Sequence, residues 1–438
     1  YTVLIGHNAG TAINSTDANG TVAIGYAALA ALTDGQQNIA IGQNAGNEIT
    51  TGNKNTVIGY EAGSELKDDL NNTFLGVYAG YMVESDENTF IGVEAGEGSS
   101  GNTTGGQNTA VGYRSMENFT TANKNVAVGD GALQLNTTGN QNVTVGMRAS
   151  QYNTVGSNQV VIGVEAGRYA TGSSNTFVGA GAGKGGTTSA PYSSGVSNTA
   201  LGYASMGAFT TAATNTAVGY TSLYYARNGQ YNTAIGHESL YGDTNADSYR
   251  NTAVGHQSMK ANTNGSDNTV LGNQAGLSLT TSSGSVFIGS TAGSNITTAN
   301  GSVGIGYEAL QSKTGGVSVA IGYKAGKAET NPGNLGSVYI GYKAGQGIVN
   351  SAVVMIGYEA GASYSGIGKG EGVTLIGGRA GLNSNDDAIN NTAVGYSALS
   401  TNTAGERNTV MGRNAGFEIT TGDNNTLIGY NTMGPLTG

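Results

Sequence analysis

Asn55-Thr56-Val57-Ile58-Gly59-Tyr60-Glu61-Ala62-Gly63 is one copy of a phrase that the chain repeats twenty-five times between Gly6 and Gly429. Another copy reads Asn391-Thr392-Ala393-Val394-Gly395-Tyr396-Ser397-Ala398-Leu399, and the usual step between phrase glycines is 17 residues. A fixed period of this size marks a stack of like units rather than a globular enzyme built around one focal site.

Counted from the phrase glycine, the residue one place before is apolar in every copy, as in Ile5, Ile24, Val218 and Met411. The residue three places before is always β-branched, as in Val3, Ile39, Thr56 and Thr426. Positions two apart in an extended chain share a face, so these two columns are expected to line the core side of a short strand, with Thr beside the core. The residue between them is expected to point the opposite way, yet it is mostly Ala, Val, Phe or Leu, as in Ala40, Phe74, Phe177 and Leu427. A strand apolar on both faces needs a cover on each, and a coil this small has one interior. Neighbouring copies of the same chain are the simplest outer cover.

Four places before the glycine stands, in most copies, asparagine, for example Asn38, Asn55, Asn108 and Asn425. Stacked amides can hydrogen-bond from coil to coil, and asparagine tolerates the corner conformations that end a turn. The phrase glycine itself is expected at a bend where a β-carbon would clash or where φ is positive. Three places after it comes Ala or Ser in every copy but the last, followed by Gly (Gly46, Gly63) or a large apolar residue (Leu29, Met116). These are two corner variants in irregular alternation. The remaining stretches are polar, vary in length and carry Thr-Thr-Gly turns at 50–52 and 137–139, as exposed loops do.

The expected fold is all-β: a parallel β-solenoid of about 25 coils of about 17 residues, one repetitive domain over residues 1–438, cut from a longer chain. At about 4.8 Å per coil, the steps add to a rod on the order of 115 Å. Glycine is positional here, 75 of 438 residues, while proline numbers 3, which fits neither collagen nor a proline-rich disordered chain. A formal net charge of -10 without any Lys/Arg cluster argues against nucleic-acid binding. The absence of cysteine excludes disulfides and thiolate metal sites, and no stretch has the apolar length needed to span a bilayer.

The phrase resembles the head repeats of YadA-like trimeric autotransporter adhesins, whose Ser-Val-Ala-Ile-Gly is echoed by Ser318-Val319-Ala320-Ile321-Gly322 and by Ser302-Val303-Gly304-Ile305-Gly306. It is similar too to the Asn-Thr-Ala-Ile-Gly-Tyr repeats of phage tail fibres and of surface proteins that end in an endosialidase-type chaperone domain. The resemblance covers essentially the whole chain. It implies a left-handed parallel β-roll and a homotrimer in which three chains associate side by side. The unit here is longer than the autotransporter repeat, and Asn-Thr replaces its Ser-bearing start, so collagen binding is not carried over. No neck, heptad stalk, membrane anchor or chaperone domain is visible in the sequence.

Candidate sites are few. Tyrosine follows the phrase glycine in eleven copies, including Tyr307, Tyr323, Tyr342 and Tyr358 in successive coils; a cross-coil aromatic ladder is favoured over a sugar-binding strip. His237 and His256 take the same place and with His7 are the only histidines, so they read as substitutions in a tyrosine column rather than as metal ligands. Acidic loops at 65–69, 84–87 and Asp386-Asp387 lack any calcium-binding pattern and read as solvated charge. The longest step, from Gly179 to Gly202, inserts a loop with Pro191 and Tyr192, the candidate recognition loop; longer excursions also follow Gly92, Gly322 and Gly357. Neither a catalytic triad nor a carboxylate pair stands out, so no catalytic residue, metal site or cofactor is expected and the chain reads as non-enzymatic.

The function that follows is an extracellular trimeric fibre segment, spacer and adhesin, on a phage-like tail or a bacterial surface, with a cell-surface receptor or glycan as partner. A second reading is a monomeric solenoid binding ice or a polysaccharide surface; it requires an exposed flat Thr face, whereas these columns place Thr beside the core. A third is an extracellular filament of rods joined end to end.

Overall fold

The computed structural model describes residues 1–13, 18–99, 103–186, 189–242, 247–298, 300–313, 317–328, 336–348, 352–364, 372–384 and 388–433. They form an all-β parallel solenoid, with no helix among the described residues. Two compact units divide the chain, Tyr1–Asn228 and Gly229–Gly438.

The first unit stacks thirteen three-residue strands, β1 (Val3–Ile5) to β13 (Thr216–Val218). Each pairs in parallel with the next, phrase on phrase: Val3 lies opposite Val22, Thr56 opposite Thr73, Thr199 opposite Thr216. The second unit stacks twelve, β14 (Thr233–Ile235) to β25 (Thr426–Ile428), of which β19 (Ser318–Ile321) and β20 (Ser337–Ile340) have four residues. Its register is equally strict, with Thr233 opposite Thr252 and Thr409 opposite Thr426. Insertions do not disturb the alignment. Across the long step of the Pro191 loop, Thr176 still pairs with Thr199, so the ladder keeps its register over the insertion.

The strands are short because the phrase glycine ends them. Gly59 has φ +143°, and a β-carbon there would lie 2.2 Å from the carbonyl oxygen of Gly76 in the next coil. From Gly6 to Gly202 such a β-carbon would come within 2.2–2.6 Å of the next glycine's oxygen. Both requirements, positive φ and close backbone approach, are met by glycine alone.

The interior lies on the side opposite to the one expected from the columns. The middle strand residue is buried in every strand from Ala23 to Val410, while the flanking residues point outward and are half-buried or exposed. Thr73, Thr199 and Thr216 are exposed and Thr56 is half-buried, so the Thr column faces solvent, not the core. The reason is volume: the coil interior admits one side chain from the strand, opposite the corner that follows the glycine. In many coils that corner residue, four places after the glycine, is matched in size to the middle one; at Ala40 and Gly46, both small, the Ile49 side chain lies beside the corner instead. Phe74, Phe90, Phe177 and Phe287 sit with Gly80, Gly96, Gly183 and Gly293, where an added β-carbon would come 2.3–2.6 Å from the ring. Ala23, Ala110, Ala200 and Ala253 sit instead with buried Leu29, Met116, Met206 and Met259. The two corner variants are therefore two ways to fill one constant cross-section.

The asparagine column is an internal ladder. The Asn38 side-chain oxygen accepts from the Asn55 backbone N–H at 3.0 Å, and Asn55 does the same for Asn72. The amide NH₂ groups donate to loop carbonyls of the following coil, Asn38 to Gly52 at 2.7 Å and Asn55 to Asp69 at 2.7 Å. In the second unit Asn251 and Asn268 repeat the pattern. Each buried amide satisfies the strand entry of its neighbour, as burial of polar groups demands. Where Ser stands three places after the glycine, its hydroxyl donates to the middle carbonyl of the next strand, as Ser115 does to Ala127 at 3.0 Å and Ser258 to Val270 at 3.1 Å.

Candidate functional site

Because the coils stack in register, side chains spread along the sequence become neighbours in columns, and three columns just past the glycine bend carry the surface chemistry. The first is the tyrosine column. Tyr307, Tyr323, Tyr342 and Tyr358 stack with ring centroids 5.3, 5.1 and 5.2 Å apart and remain exposed. Lys324 lies over the Tyr323 ring at 5.0 Å and Lys343 over Tyr342 at 5.3 Å. His237 and His256 continue the same column geometry in their coils, stacked at 5.1 Å, and His7 stacks on Tyr26 at 5.5 Å. The Glu238 carboxylate lies 3.8 Å from His237 but is itself bound by Lys260 at 2.8 Å and Gln257 at 2.8 Å.

The second and third columns, two and five places after the glycine, form a charge rail. Glu308 meets Lys327 and Lys324 of the next coil at 2.5 and 3.7 Å, Glu359 meets Arg379 at 3.2 Å, and Glu165 meets Arg168 at 2.6 Å and Lys184 at 2.7 Å. Partly exposed pairs such as these contribute roughly 0–1 kcal/mol each. The Lys184 ammonium holds the Glu165 carboxyl below the usual carboxylate range, against the opposing effect of burial.

One place on the rail gathers acid. Glu94, Glu97 and Glu117 offer carboxylate oxygens within 4.8 Å of one another, with Arg114 bound to Glu94 at 2.5 Å and 3.7 Å from Glu117. Three carboxylates could ligate a hard cation, and here the guanidinium already supplies positive charge. Burial first, then Glu94 and Glu117, push the Glu97 carboxyl above its ordinary value. A raised carboxyl binds its proton more readily in the folded state, so its contribution to stability declines as pH rises from the ordinary carboxyl value through the raised one. Glu97→Gln is therefore expected to stabilise the first unit near neutrality by about 0.5 kcal/mol, the scale of one partly exposed charge interaction. The gain vanishes in acid, where Glu97 is protonated in both states; denaturation midpoints at neutral and acid pH check this.

The acidic loops cap backbone of their own and the adjoining coil. Asp69 accepts from the Lys67 N–H at 3.1 Å, Asp86 accepts from the Leu70 N–H at 2.7 Å, and Lys67 pairs with Glu84 at 2.9 Å. Asp386 and Asp387 lie outside the described residues, as do residues 100–102, 329–335 and 365–371 in the excursions after Gly92, Gly322 and Gly357.

The Pro191–Tyr192 loop ends beside a local aromatic cluster. Pro191 is exposed, whereas Tyr192 is half-buried with its ring 5.1 Å from Tyr152 and 6.1 Å from Tyr169. The Arg168 guanidinium covers Tyr169 at 5.1 Å and Tyr152 at 5.8 Å. Tyr192 thus packs against the two rings that Arg168 covers. Next to Glu165 a notch of about 280 Å³ opens, floored by Ala180, Gly181 and Ala204 and flanked by Lys184, Tyr203 and Tyr224. Neither this notch nor the glutamate cluster stands out in the sequence, since each needs residues of two or more coils. Reading the sequence modulo the repeat would have shown small residues at 180, 181 and 204 where other coils place Tyr, Glu or Arg.

No helix among the described residues is long and apolar enough to cross a membrane. Compared with known proteins, the chain matches no family model and no curated protein.

Proposed function

We propose that the chain is a non-enzymatic, homotrimeric extracellular fibre segment that spaces and presents adhesive contacts on a phage-like tail or a bacterial surface. The observation that carries this is the outward face of the strands. In the first unit Leu75, Ile162 and Leu201 are 45, 40 and 47% exposed, and in the second Ile235 and Met411 are 39 and 49%. The β-branched column runs beside them. Thirteen strands at about 4.8 Å make an aliphatic stripe roughly 60 Å long from the last strand position alone, with a mixed Thr and Val/Ile column beside it. The same stripe on sister chains is the simplest complement, because identical repeats match it in period.

The middle column expected to need outside cover is buried in the chain's own interior; the flanking residues form the outward stripe that sister chains would cover. Three copies would also present every surface loop three times, multiplying weak contacts with a cell-surface receptor or glycan. The expected light-scattering result is three times the chain mass; a monomer mass would contradict the proposal.

The outward Thr column gives specific support to a second reading, a monomeric solenoid whose flat face binds ice or an ordered polysaccharide. That reading expects the monomer mass together with growth inhibition of ice crystals or retention on an insoluble polysaccharide, and replacement of Thr199 and Thr216 by Leu should abolish either effect.

A further inference from the structure

The notch beside Glu165 interrupts the tyrosine column. Along that column the rungs are Val164, Ala180, Tyr203 and Tyr220. Tyr203 stacks on Tyr220 at 5.3 Å and 12° and is 57% exposed. On its other side the rung is Ala180, so that face of Tyr203 borders the notch. The next columns are cut back too, at Gly181 and Gly207. A β-carbon on Gly181 would meet nothing closer than Ala204 at 3.8 Å, whereas Gly207 lets the Tyr224 ring lie over its backbone. The result is a slot about one coil spacing thick, roughly the 5 Å over which rings stack.

Its rim is cationic in a chain of net charge -10. Lys184, on the rim, meets Glu165 at 2.7 Å, and Arg168, outside the lining, binds the same carboxylate at 2.6 Å, so two cations meet one anion there. The Arg168 guanidinium lies over Tyr152 and Tyr169, and the inserted Tyr192 packs against those two rings.

We propose that this notch binds an acidic pyranose, a uronate or similar carboxylated sugar, whose ring takes the rung that Ala180 leaves short and stacks on Tyr203. Its carboxylate is met by Lys184 and its hydroxyls by Glu165. A sugar ring presents C–H groups to an aromatic face and hydroxyls at its edge, which fits an aromatic wall with a charged rim. The notch lies beyond the glycine bend and is lined by none of the outward strand side chains. The proposal deepens the adhesive reading and rests on it only for the multiplicity of the sites.

Saturation-transfer NMR and calorimetry with trigalacturonate, against neutral galactotriose, test it on the full chain. Trigalacturonate is expected to receive saturation and to bind at least about tenfold more tightly than the neutral sugar, the scale of one charge-assisted hydrogen bond. Ala180→Tyr restores the residue that eleven other copies carry, so it refills the notch without disturbing the fold; it should abolish binding with an unchanged melting temperature. Lys184→Gln should remove the preference for the acidic sugar, and Tyr342→Ala, in the ladder of the second unit, should leave binding intact. Equal binding of both sugars, or undiminished binding by Ala180→Tyr, would overturn the assignment. Light scattering of the same samples separates the two ideas: trimers that transfer no saturation overturn the sugar site alone, and monomers that bind trigalacturonate overturn the trimer alone.

Discussion

Gly59→Ala is expected to destabilise the first unit by about 2–6 kcal/mol, as the sum of two independent penalties. The backbone at Gly59 has φ +143°, in a region where an L-residue is strained by about 1–3 kcal/mol. The new methyl would also lie 2.2 Å from the Gly76 oxygen, which belongs to a hydrogen-bonded coil and cannot move aside. To relieve that contact the two coils must separate, and separation breaks the parallel ladder between Thr56–Ile58 and Thr73–Leu75. A control distinguishes this from a general intolerance of alanine. Gly284 also has positive φ, but nothing lies within 4 Å of its would-be β-carbon; Gly284→Ala in the second unit should cost about 1 kcal/mol, the backbone penalty alone. Chemical denaturation of the two variants, read beside the parent, checks the difference. Equal costs would show that the close approach of glycine to glycine does not hold the stack at its spacing.

Much of the architecture was readable because the repeat itself carried it. The glycine bend, the asparagine ladder and the tyrosine ladder are each one residue type at one offset, and stacking in register converts an offset into a contact without further information. Which strand face is buried was not readable by the same means. The columns of Ile, Leu and Val at the last strand position and of Thr and Val at the first are more uniform than the middle column, and uniform hydrophobicity suggests burial. Their uniformity instead reflects a preference for β-branched and aliphatic residues on a pleated outer surface. The middle column ranges from Gly304 through Ala127 to Phe74 and Tyr339, yet it is the buried one. Its variability reads like tolerance; it is compensation, visible only when set against the corner six residues on.

The surface was less legible, for a related reason. Glu94, Glu97, Arg114 and Glu117 are inconspicuous in sequence, and only the superposition of two coils turns them into a cluster. The Pro191–Tyr192 insertion stood out by its length; Pro191 is exposed, while Tyr192 packs on Tyr152 and Tyr169, the rings that Arg168 covers. An insertion can thus serve a site it does not line. The notch was concealed because small residues attract notice only when the expected large ones are known, column by column.

The compensation between middle and corner residues makes the second strong prediction, a pair of substitutions each severe alone and mild together. Phe74→Ala empties the space of a fully buried ring and is expected to cost about 3–5 kcal/mol. Gly80→Leu places a β-carbon 2.4 Å from that ring and a whole side chain beyond it, and is expected to cost at least about as much. Combined, the two substitutions reproduce the pairing that Ala23 and Leu29 already make, and the introduced leucine takes the same positive-φ conformation that Leu29 adopts at φ 50°. The double variant should therefore stand within about 1–2 kcal/mol of the parent, the remaining loss being the stacking of Phe74 on Phe90 at 5.0 Å. The cycle then gives a coupling of several kcal/mol between residues six apart, far above the usual interaction of neighbours. Additive costs in denaturation would mean that each coil tolerates its own cross-section, and that the constant width of the stack has some other origin. A large coupling would establish that one interior volume, shared between a strand and its corner, governs which corner residue each variant of the phrase can carry.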